Sequence, residues 1–503
     1  MDSKQCPTQN RPMISSASIF ARALLAVILM IGFYLLAIAI ATGLLYIPYA
    51  EVVYAHRITP KLILICILAA FAILWSILPR FDKFPPPGPK LPREKHPRLF
   101  GELETVAGAT GQAMPAEVYL VPEVNAWVSQ RGGIMGFGSR RVMGLGLPLM
   151  RTLTCSQFRA VLAHEFGHYH SGDTRVGPWI YKTRNAIGRT LGSLGRGSWV
   201  QFPFLWYGKM FLRVTHAVSR RQEFTADALA ARCIGAKPLT DGLRAVHGMA
   251  PAFDAFWRSE CAPVLQAGFR PPLADGFGQF IQAGPIAEAI NKHVDEELKN
   301  GKANPYDTHP PLKDRIAAVE KFPAGEIPAS DPPALCLLED VPALESELLI
   351  TIAGPETAQK LKPVLWCDVG AQVHQSQWKK LVESNAKALK GITPESLPQL
   401  AADLKQFGLQ LVDYGGMRPP ADKAPGLAAF VTGASLAILL LNNGATAKSS
   451  PGNPLTISLG GIAIEPFTIL PALASGKITA ETWAQQCAQL GITGKELAND
   501  LTS

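Results

Sequence analysis

Two uncharged apolar stretches near the N-terminus constrain the fold of this chain more than any other feature. The first runs from Ala23 to Ile47, about twenty-five residues, and the second from Leu62 to Leu78, about seventeen residues. Each can cross a lipid bilayer, where the backbone must be helical because no water is present to satisfy its polar groups. The sequence therefore predicts two transmembrane helices. The alternative is a cleaved signal peptide. The apolar core of a signal peptide is shorter than the first stretch, however, and in this chain a second apolar stretch follows.

The distribution of basic residues predicts the orientation of these helices. The loop between them holds few charges, whereas six basic residues follow the second helix: Arg80, Lys83, Lys90, Arg93, Lys95 and Arg98. By the positive-inside rule, the N-terminus and everything after Leu78 are cytoplasmic. The formal net charge of +8 indicates a membrane surface as partner rather than nucleic acid, because no nucleic-acid motif is present. The eight scattered cysteines form no C-x-x-C pair, which is typical of reduced cytosolic thiols.

The motif H-E-x-x-H occurs once in the chain, at residues 164–168. Side chains four residues apart share one face of a helix, so His164 and His168 can bind one metal ion, with Glu165 beside a bound water. Thr154 and Gln157 have the spacing of a capping box that starts this helix. Two imidazoles, an open coordination position and a carboxylate are what a hydrolytic zinc site needs. The alternative interpretation is a pair of packed core histidines.

A catalytic zinc site needs a third protein ligand, and the best candidates lie on a later helical segment. Glu223 and Asp227 are four residues apart, so both carboxylates share one face of that helix. We assign Glu223 to the metal and Asp227 to the free ring N–H of a ligand histidine. The alternative is a solvated acidic pair beside Arg220 and Arg221.

Several ordered motifs together give this chain a family resemblance. They are H-E-F-G-H followed by Asp173, the pattern S-R-x-x-E-F-x-A-D at 219–227, the run Asp307-Thr308-His309-Pro310-Pro311 with Arg315, and the earlier pair Asn125-Ala126. With these motifs, residues 95–325 resemble the membrane zinc metallopeptidases that include the HtpX proteases and the CAAX prenyl proteases. The resemblance implies a mainly helical α+β fold of the gluzincin type, one Zn²⁺ per chain, and hydrolysis of peptide bonds in protein substrates, including membrane proteins.

The resemblance also implies roles for individual residues. Glu165 is the general base, His309 stabilises the oxyanion and Arg315 is the second choice for that role, while Asp173 supports the metal helix. The structural alternative for His309 is a turn-capping residue before two prolines. Two short strands are expected at 117–121 and 141–147, and the pair Asn125-Ala126 is expected on an edge strand that holds an extended peptide. A bacterial inner-membrane location, with the catalytic domain in the cytoplasm, follows from the resemblance and the charge distribution.

The chain departs from this family in two segments. Proteases of the HtpX type usually carry a second pair of transmembrane helices after the metal helix, but residues 177–214 hold too many basic residues to span a membrane. Aromatic residues in that segment, such as Trp179 and Trp206, suit a membrane interface instead. A glycine-rich insertion at 132–138 is interpreted as a flap over the cleft, since its spacing matches no nucleotide-binding loop.

The chain divides by composition into six segments. These are a cytoplasmic tail (1–22), two transmembrane helices (23–79), a basic proline-rich linker (80–94), the metallopeptidase domain (95–325), a second linker (326–340) and a C-terminal α+β domain without an assigned role (341–503). In the C-terminal domain, helices are predicted near 373–389, 394–407 and 479–490, with a hairpin at 455–464. The apolar run 427–441 is predicted to be a buried helix, because it is short for a membrane span.

Two classes of function agree with these patterns. The first is a membrane-anchored zinc endopeptidase, with a role in membrane-protein quality control. The second is a membrane scaffold in which the metal site is structural or degenerate, and a fully enclosed four-ligand site would favour it. A prenyl-protein protease is a narrower enzyme alternative, and it requires a chamber of many membrane spans.

Overall fold

The computed structural model describes residues 16–78, 81, 83–133, 138–169, 177–195, 197–304 and 306–498. Helices dominate and the strands are few and short, so the predicted α+β, mainly helical class is confirmed. The contacts divide the chain into two compact units. The first comprises Met1–Ala250 and Asn291–Thr351, and the second comprises Pro251–Ile290 and Ile352–Ser503.

The two predicted apolar helices are present as α1 (Ser16–Val53) and α2 (Pro60–Ile77). They pack against each other, while apolar side chains such as Phe71 and Trp75 on α2 remain exposed. Among the described residues, three helices are long and apolar enough to cross a membrane: Leu24–Val53, Pro60–Ile77 and Ala424–Asn442. The exposed apolar surfaces of α1 and α2 are what helices facing lipid require.

The rest of the first unit places a small sheet ahead of the metal helix. Its strands are β1 (Glu117–Val121), β2 (Ala126–Arg131) and β3 (Arg140–Gly146). The strand order is β1-β3-β2, with β1 parallel and β2 antiparallel to β3, so β2 lies at an edge. The predicted strands at 117–121 and 141–147 are therefore confirmed. The elements are α3 (Pro97–Thr110), β1 (Glu117–Val121), β2 (Ala126–Arg131), β3 (Arg140–Gly146), α4 (Leu147–Thr152), α5 (Cys155–Gly167), α6 (Gly177–Ser193), α7 (Gln201–Cys233) and α8 (Ala236–Phe256).

Helices α6 and α7 form a hairpin that packs along α1 and α2. Their shared core contains Phe33 of α1 and Ile73 of α2 together with Phe204 and Phe211 of α7. The basic segment 177–214 therefore lies beside the predicted transmembrane helices. Beyond this core, α7 continues for several turns and carries the predicted third ligand, Glu223.

The remaining elements complete the two units. Short 3₁₀ or π turns occur at Trp257–Cys261, Ala334–Leu337, Trp366–Asp368, Gly370–His374 and Pro394–Ser396. The helices and strands are α9 (Ala262–Gln266), β4 (Phe269–Arg270), α10 (Leu273–Gln282), α11 (Gly284–Asn300), α12 (Leu312–Val319), α13 (Val341–Ala353), α14 (Pro355–Lys360), β5 (Lys362–Pro363), α15 (Gln375–Ser384), α16 (Ala386–Leu389), α17 (Leu397–Ala401), α18 (Leu404–Gly408), α19 (Ala424–Asn442), β6 (Thr446–Lys448), β7 (Thr456–Leu459), β8 (Ile462–Ile464), α20 (Pro466–Ala474) and α21 (Ala480–Gln489).

The division into units differs from the predicted segment boundaries. Residues 251–290 were predicted in the metallopeptidase domain, but they belong to the second unit, whereas 341–351 belong to the first. The physical reason is an aromatic cluster, in which the Phe256 ring lies 5.5 Å from Phe277 and 5.7 Å from Trp366. The Trp366 indole N–H also donates to the Pro272 carbonyl at 2.7 Å. Such long-range contacts leave no local pattern in the sequence.

Within the second unit, most local predictions agree with the structure. The hairpin at 455–464 is present as antiparallel β7 and β8, and α21 matches the predicted helix at 479–490. The predicted helices near 373–389 and 394–407 are each broken into shorter pieces. The apolar run 427–441 lies in α19, and its central residues from Val431 to Leu440 are buried in the core of this unit, as predicted for a buried helix.

Candidate metal centre

The metal helix α5 begins where the sequence predicts. Gln157 N–H donates to the Thr154 hydroxyl at 3.4 Å, and Thr154 N–H donates to Gln157 Oε1 at 3.1 Å, so the capping box is complete. Buried Phe158 and Leu162 fix one side of the helix in the core. His164 and His168 then project from one face, with ring centroids 4.8 Å apart.

A glycine in the metal helix lets α7 come close enough to supply a ligand. A Cβ atom on Gly167 would lie 2.8 Å from Ala226 Cα and 3.0 Å from Ala226 Cβ. Because Glu223 lies about one turn before Ala226 on α7, this close crossing carries its carboxylate toward His164 and His168. The glycine within H-E-F-G-H thus has a packing role in this fold.

We expect Gly167→Ala to destabilise the chain by about 1–3 kcal/mol, because the added methyl group overpacks the crossing of α5 and α7. The zinc affinity is expected to fall with it, since the ligand-bearing helices must separate. The measurements are urea-induced unfolding and zinc titration of the full-length protein in detergent. Gly101→Ala, in an exposed helical position with open space around it, is the matched control and is expected not to destabilise. Equal zinc affinity in both variants would contradict the packing role.

The structure brings the three predicted ligands together. His164 Nε2 lies 3.5 Å from Glu223 Oε2, and His168 Nε2 lies 3.5 Å from Glu223 Oε1. Ligand atoms about 2.1 Å from a tetrahedral zinc ion are separated by roughly 3.4 Å. Glu223 Oε2 is also buried without a well-oriented hydrogen bond from any described residue. The donor set and its spacing therefore suit a single zinc ion.

Asp227 and Arg315 surround this cluster as a buried charged pair. The Arg315 guanidinium donates two hydrogen bonds to the Asp227 carboxylate, at 2.8 and 2.7 Å, and both side chains are almost fully buried. Asp227 Oδ1 also lies 2.9 Å from His164 Nδ1, which leaves His164 Nε2 for the metal. The interpretation of Glu223 and Asp227 as a solvated pair is wrong, since both carboxylates are buried.

The pKa shifts of the cluster follow from burial and these contacts. Burial acts to lower the pKa of His164, but the carboxylates of Asp227 and Glu223 outweigh it and raise the pKa to about 9. Burial lowers the pKa of His168 to about 4. Burial acts against ionisation of Glu223, yet its contacts with His164 and His309 hold the pKa of this carboxyl well below its usual range. An ionised carboxylate among imidazoles attracts a cation, which would replace the proton on His164.

Glu165 and His309 lie on the open side of the cluster, where they line a cavity of about 720 Å³. Burial raises the pKa of the Glu165 carboxyl to about 7, which is the range in which a general base works near neutral pH. His309 Nδ1 lies 3.1 Å from Glu223 Oε2, and 56% of the His309 side chain is exposed. Its backbone N–H donates to Asp307 Oδ1 at 3.0 Å, so the loop is a defined turn.

The cavity wall includes predicted residues and residues that sequence reasoning missed. Ala126, the first residue of β2, and Asn125 just before it line the cavity, as expected for an edge-strand wall. His247 of α8 and Glu297 of α11 also line it, with His247 Nδ1 2.9 Å from Glu297 Oε1. These two residues lie on separate helices, and neither belongs to any of the motifs identified in the sequence. Asp173 and residues 134–137 of the predicted flap lie outside the described residues.

Comparisons with known proteins match the same part of the chain. Residues 94–322 match the model of Peptidase family M48. The chain is 28% identical over 205 residues to the Protease HtpX homolog of Chlorobium phaeobacteroides, covering 36% of this chain and 56% of that protein. It is 31% identical over 160 residues to the Protease HtpX homolog of Tropheryma whipplei, covering 28% and 53%. For the Protease HtpX of Ectopseudomonas mendocina, identity is 27% over 253 residues, covering 46% and 75%.

The chain thus spans little more than half the length of the first two of these relatives. No solved structure matches the chain.

Proposed function

We propose that the protein is a membrane-anchored, zinc-dependent endopeptidase, because residues 94–322 match the model of Peptidase family M48 and the relatives that the chain matches are HtpX proteases. The observation that supports this most is the distance of 3.5 Å from the Glu223 carboxylate to each of His164 Nε2 and His168 Nε2. Two ligand atoms on one tetrahedral zinc ion are separated by about that distance. Among the described residues this cluster offers three ligands, which is typical of a catalytic zinc site, whereas a structural site has four.

The proposed reaction is hydrolysis of a peptide bond in the cavity. A zinc ion held by His164, His168 and Glu223 would lower the pKa of a coordinated water and polarise the scissile carbonyl. Glu165 takes the proton from the attacking water and returns it to the leaving amine, for which its raised pKa is suitable. His309, on the same cavity wall, donates a hydrogen bond to the developing oxyanion.

Arg315 and Asp227 have a positioning role in this proposal. Arg315 already directs two N–H groups to Asp227, and its Nη1 lies 3.4 Å from Glu223 Oε2. These bonds occupy the guanidinium, so we prefer His309 to Arg315 for the oxyanion. Asp227 then holds the His164 ring in the tautomer that leaves Nε2 for zinc.

The substrate is proposed to bind as an extended strand along β2. Gly146 N–H donates to the Asn125 carbonyl at 2.8 Å, so alternation along an antiparallel pair directs the Ala126 N–H and C=O away from β3. No other strand in the described part of the chain pairs with that outer edge of β2. A peptide in the cavity therefore has a backbone edge with which to pair.

The proposed substrates are cytoplasmic segments of membrane proteins, as in membrane-protein quality control in a bacterial inner membrane. This is supported by the apolar helices α1 and α2 in the same unit as the cavity, and by the basic residues that follow α2. A structural-metal scaffold is less well supported, since the cluster borders an open cavity rather than a closed site.

We expect the full-length protein in detergent to bind one Zn²⁺ per chain and to hydrolyse unfolded polypeptides only when zinc is bound. Zinc at a hundredfold excess over its dissociation constant should raise the free energy of unfolding by about 2.7 kcal/mol. Glu223→Ala should abolish both the bound zinc and this increase. The matched control is Glu296→Ala, which removes an exposed cavity glutamate outside the cluster and should leave zinc binding unchanged. Full zinc occupancy in Glu223→Ala would contradict the ligand assignment.

A further inference from the structure

The first turns of α7, together with Trp199 and Val200 just before it, are apolar on two opposite faces. One face is buried in the core shared with α1, α2 and α6, and it includes Val200, Phe204 and Phe211. The opposite face exposes large apolar side chains at positions three or four residues apart, which therefore form one stripe along the helix. A water-facing surface rarely carries such a contiguous apolar group, so the stripe indicates a contact with something apolar. We name it the aromatic patch, and it consists of Trp199 (70% exposed), Phe202 (65%), Leu205 (36%) and Trp206 (68%).

Contacts with α1 show how far along that helix the patch lies. The Phe204 ring lies 6.3 Å from the Phe33 ring, and the Tyr207 hydroxyl donates to the Leu29 carbonyl at 2.8 Å. Leu29 and Phe33 both belong to the apolar stretch of α1. The patch residues adjoin Phe204 and Tyr207 in α7, so they lie beside the first turns of that stretch.

Contacts with α2 give the same position independently. The Thr190 hydroxyl, near the end of α6, lies 2.6 Å from the Ser76 hydroxyl. Arg189 Nε also donates to the Ser76 carbonyl at 3.0 Å. Ser76 is the penultimate residue of α2. The end of α6 is therefore level with the end of α2 from which the chain continues to the catalytic domain. The start of α7 lies near that level too, because Gln201 Nε2 donates to the Leu191 carbonyl of α6 at 2.8 Å.

The charges on α7 follow the order found at a membrane interface. On the same face as the patch, Trp206 is followed by Lys209 and Arg213, both exposed and each about one turn further toward the metal cluster. Tryptophan is enriched at the headgroup level of membranes, and lysine and arginine lie outside it near the lipid phosphates. A protein partner would not require this order.

We propose that the aromatic patch inserts into the cytoplasmic headgroup region of the bilayer that α1 and α2 span. Lys209 and Arg213 then contact the lipid phosphates. This inference rests on the proposed membrane anchoring and is independent of the peptidase activity. It has a consequence for that activity, because α7 continues without a break from Trp206 to Glu223. At a rise of 1.5 Å per residue, Glu223 lies about 26 Å along the helix from Trp206, the patch residue nearest to the metal cluster.

The test measures the depth of single nitroxide spin labels on the full-length protein in phosphatidylcholine vesicles containing phosphatidylglycerol. Labels are attached at Phe202→Cys and Trp206→Cys, with Trp75→Cys on α2 as the lipid control and Tyr306→Cys as the water control. Both control side chains are more than half exposed. Each label reports collisions with oxygen, which concentrates in lipid, and with a nickel chelate, which stays in water.

The labelled variants are made in a chain in which Cys6, the partly exposed Cys233 and the exposed Cys336 and Cys367 are replaced by serine, so that the new thiol is the reactive one. We expect the patch labels to resemble the label at position 75, with oxygen collisions dominant. If the patch labels collide with nickel as often as the label at position 306, while the α2 label remains lipid-exposed, the inference is overturned and the membrane anchoring still stands. Water exposure of the α2 label as well would overturn the membrane anchoring and the inference with it.

A second measurement needs no label and uses conservative variants. Lipids brominated near the headgroup quench tryptophan fluorescence within a short distance, and the chain holds nine tryptophans. The double variant Trp199→Phe and Trp206→Phe keeps the patch apolar but removes both of its indoles. We expect the fraction of fluorescence quenched to fall relative to the parent protein. An unchanged or larger fraction would overturn the inference, because the remaining tryptophans would then account for all contact with lipid.

Discussion

Replacing Glu165 by glutamine is expected to lower kcat/KM for peptide hydrolysis by about 10²–10⁴-fold while one zinc ion per chain remains bound. The amide keeps the size of the side chain, but it cannot accept the proton of the attacking water. The metal is retained because His164, His168 and Glu223, which form the three-ligand cluster, are unchanged. The measurements are hydrolysis of a fluorogenic polypeptide and the zinc content of the purified protein.

The control for this variant is Glu296→Gln. Glu296 lines the same cavity but is exposed and lies outside the metal cluster, so its replacement should change kcat/KM only slightly. Hydrolysis by Glu165→Gln at the parental rate, with zinc bound, would refute the general-base role. Loss of zinc from this variant would instead show that Glu165 acts in metal binding, and the mechanism would need another base.

Replacing Asp227 by alanine is expected to lower the free energy of unfolding by about 3–5 kcal/mol, because it leaves the Arg315 guanidinium buried without its carboxylate. The zinc affinity should also fall by about 10–100-fold, since the His164 ring loses the acceptor that orients it. Both effects are measured on the full-length protein in detergent, by urea-induced unfolding of the zinc-free protein and by zinc titration.

Two further variants separate these effects from a general effect of losing an aspartate. Asp241→Ala removes one partner of an i,i+4 pair with the exposed Lys237, and it should cost no more than about 0.5 kcal/mol. The double variant Asp227→Ala and Arg315→Met removes both buried charges and should be less destabilised than the sum of the single variants. Additive costs would mean that Asp227 and Arg315 do not act as a pair.

Local sequence patterns predicted a large part of the candidate site. The capping box of Thr154 and Gln157 and the four-residue spacing of His164 and His168 depend only on helix geometry, and both are present in the structure. Their prediction needed no knowledge of the rest of the fold. The choice of Glu223 and Asp227 came from the same helical spacing combined with the family resemblance, and the structure brings both to the histidines.

Local sequence patterns did not predict other features of the site and the fold. The pair His247 and Glu297 joins two helices that no motif connects. Residues 251–290 show no composition shift that separates them from the metallopeptidase segment, yet aromatic packing around Phe256 assigns them to the second unit. The double hydrogen bond between Arg315 and Asp227 likewise joins α12 to α7. Each of these depends on contacts between residues far apart in the chain.

The sequence by itself determined what one stretch of backbone can do: which segments are apolar enough to cross a membrane, where α5 starts, and which side chains share a helix face. Only the tertiary structure decided how near those faces come to one another. The absence of a side chain at Gly167 allows α5 to touch α7 at Ala226, and this crossing brings Glu223 to the two histidines. The physical reason is that helix periodicity is set by short-range backbone geometry, whereas the convergence of three ligands depends on the packing of whole helices.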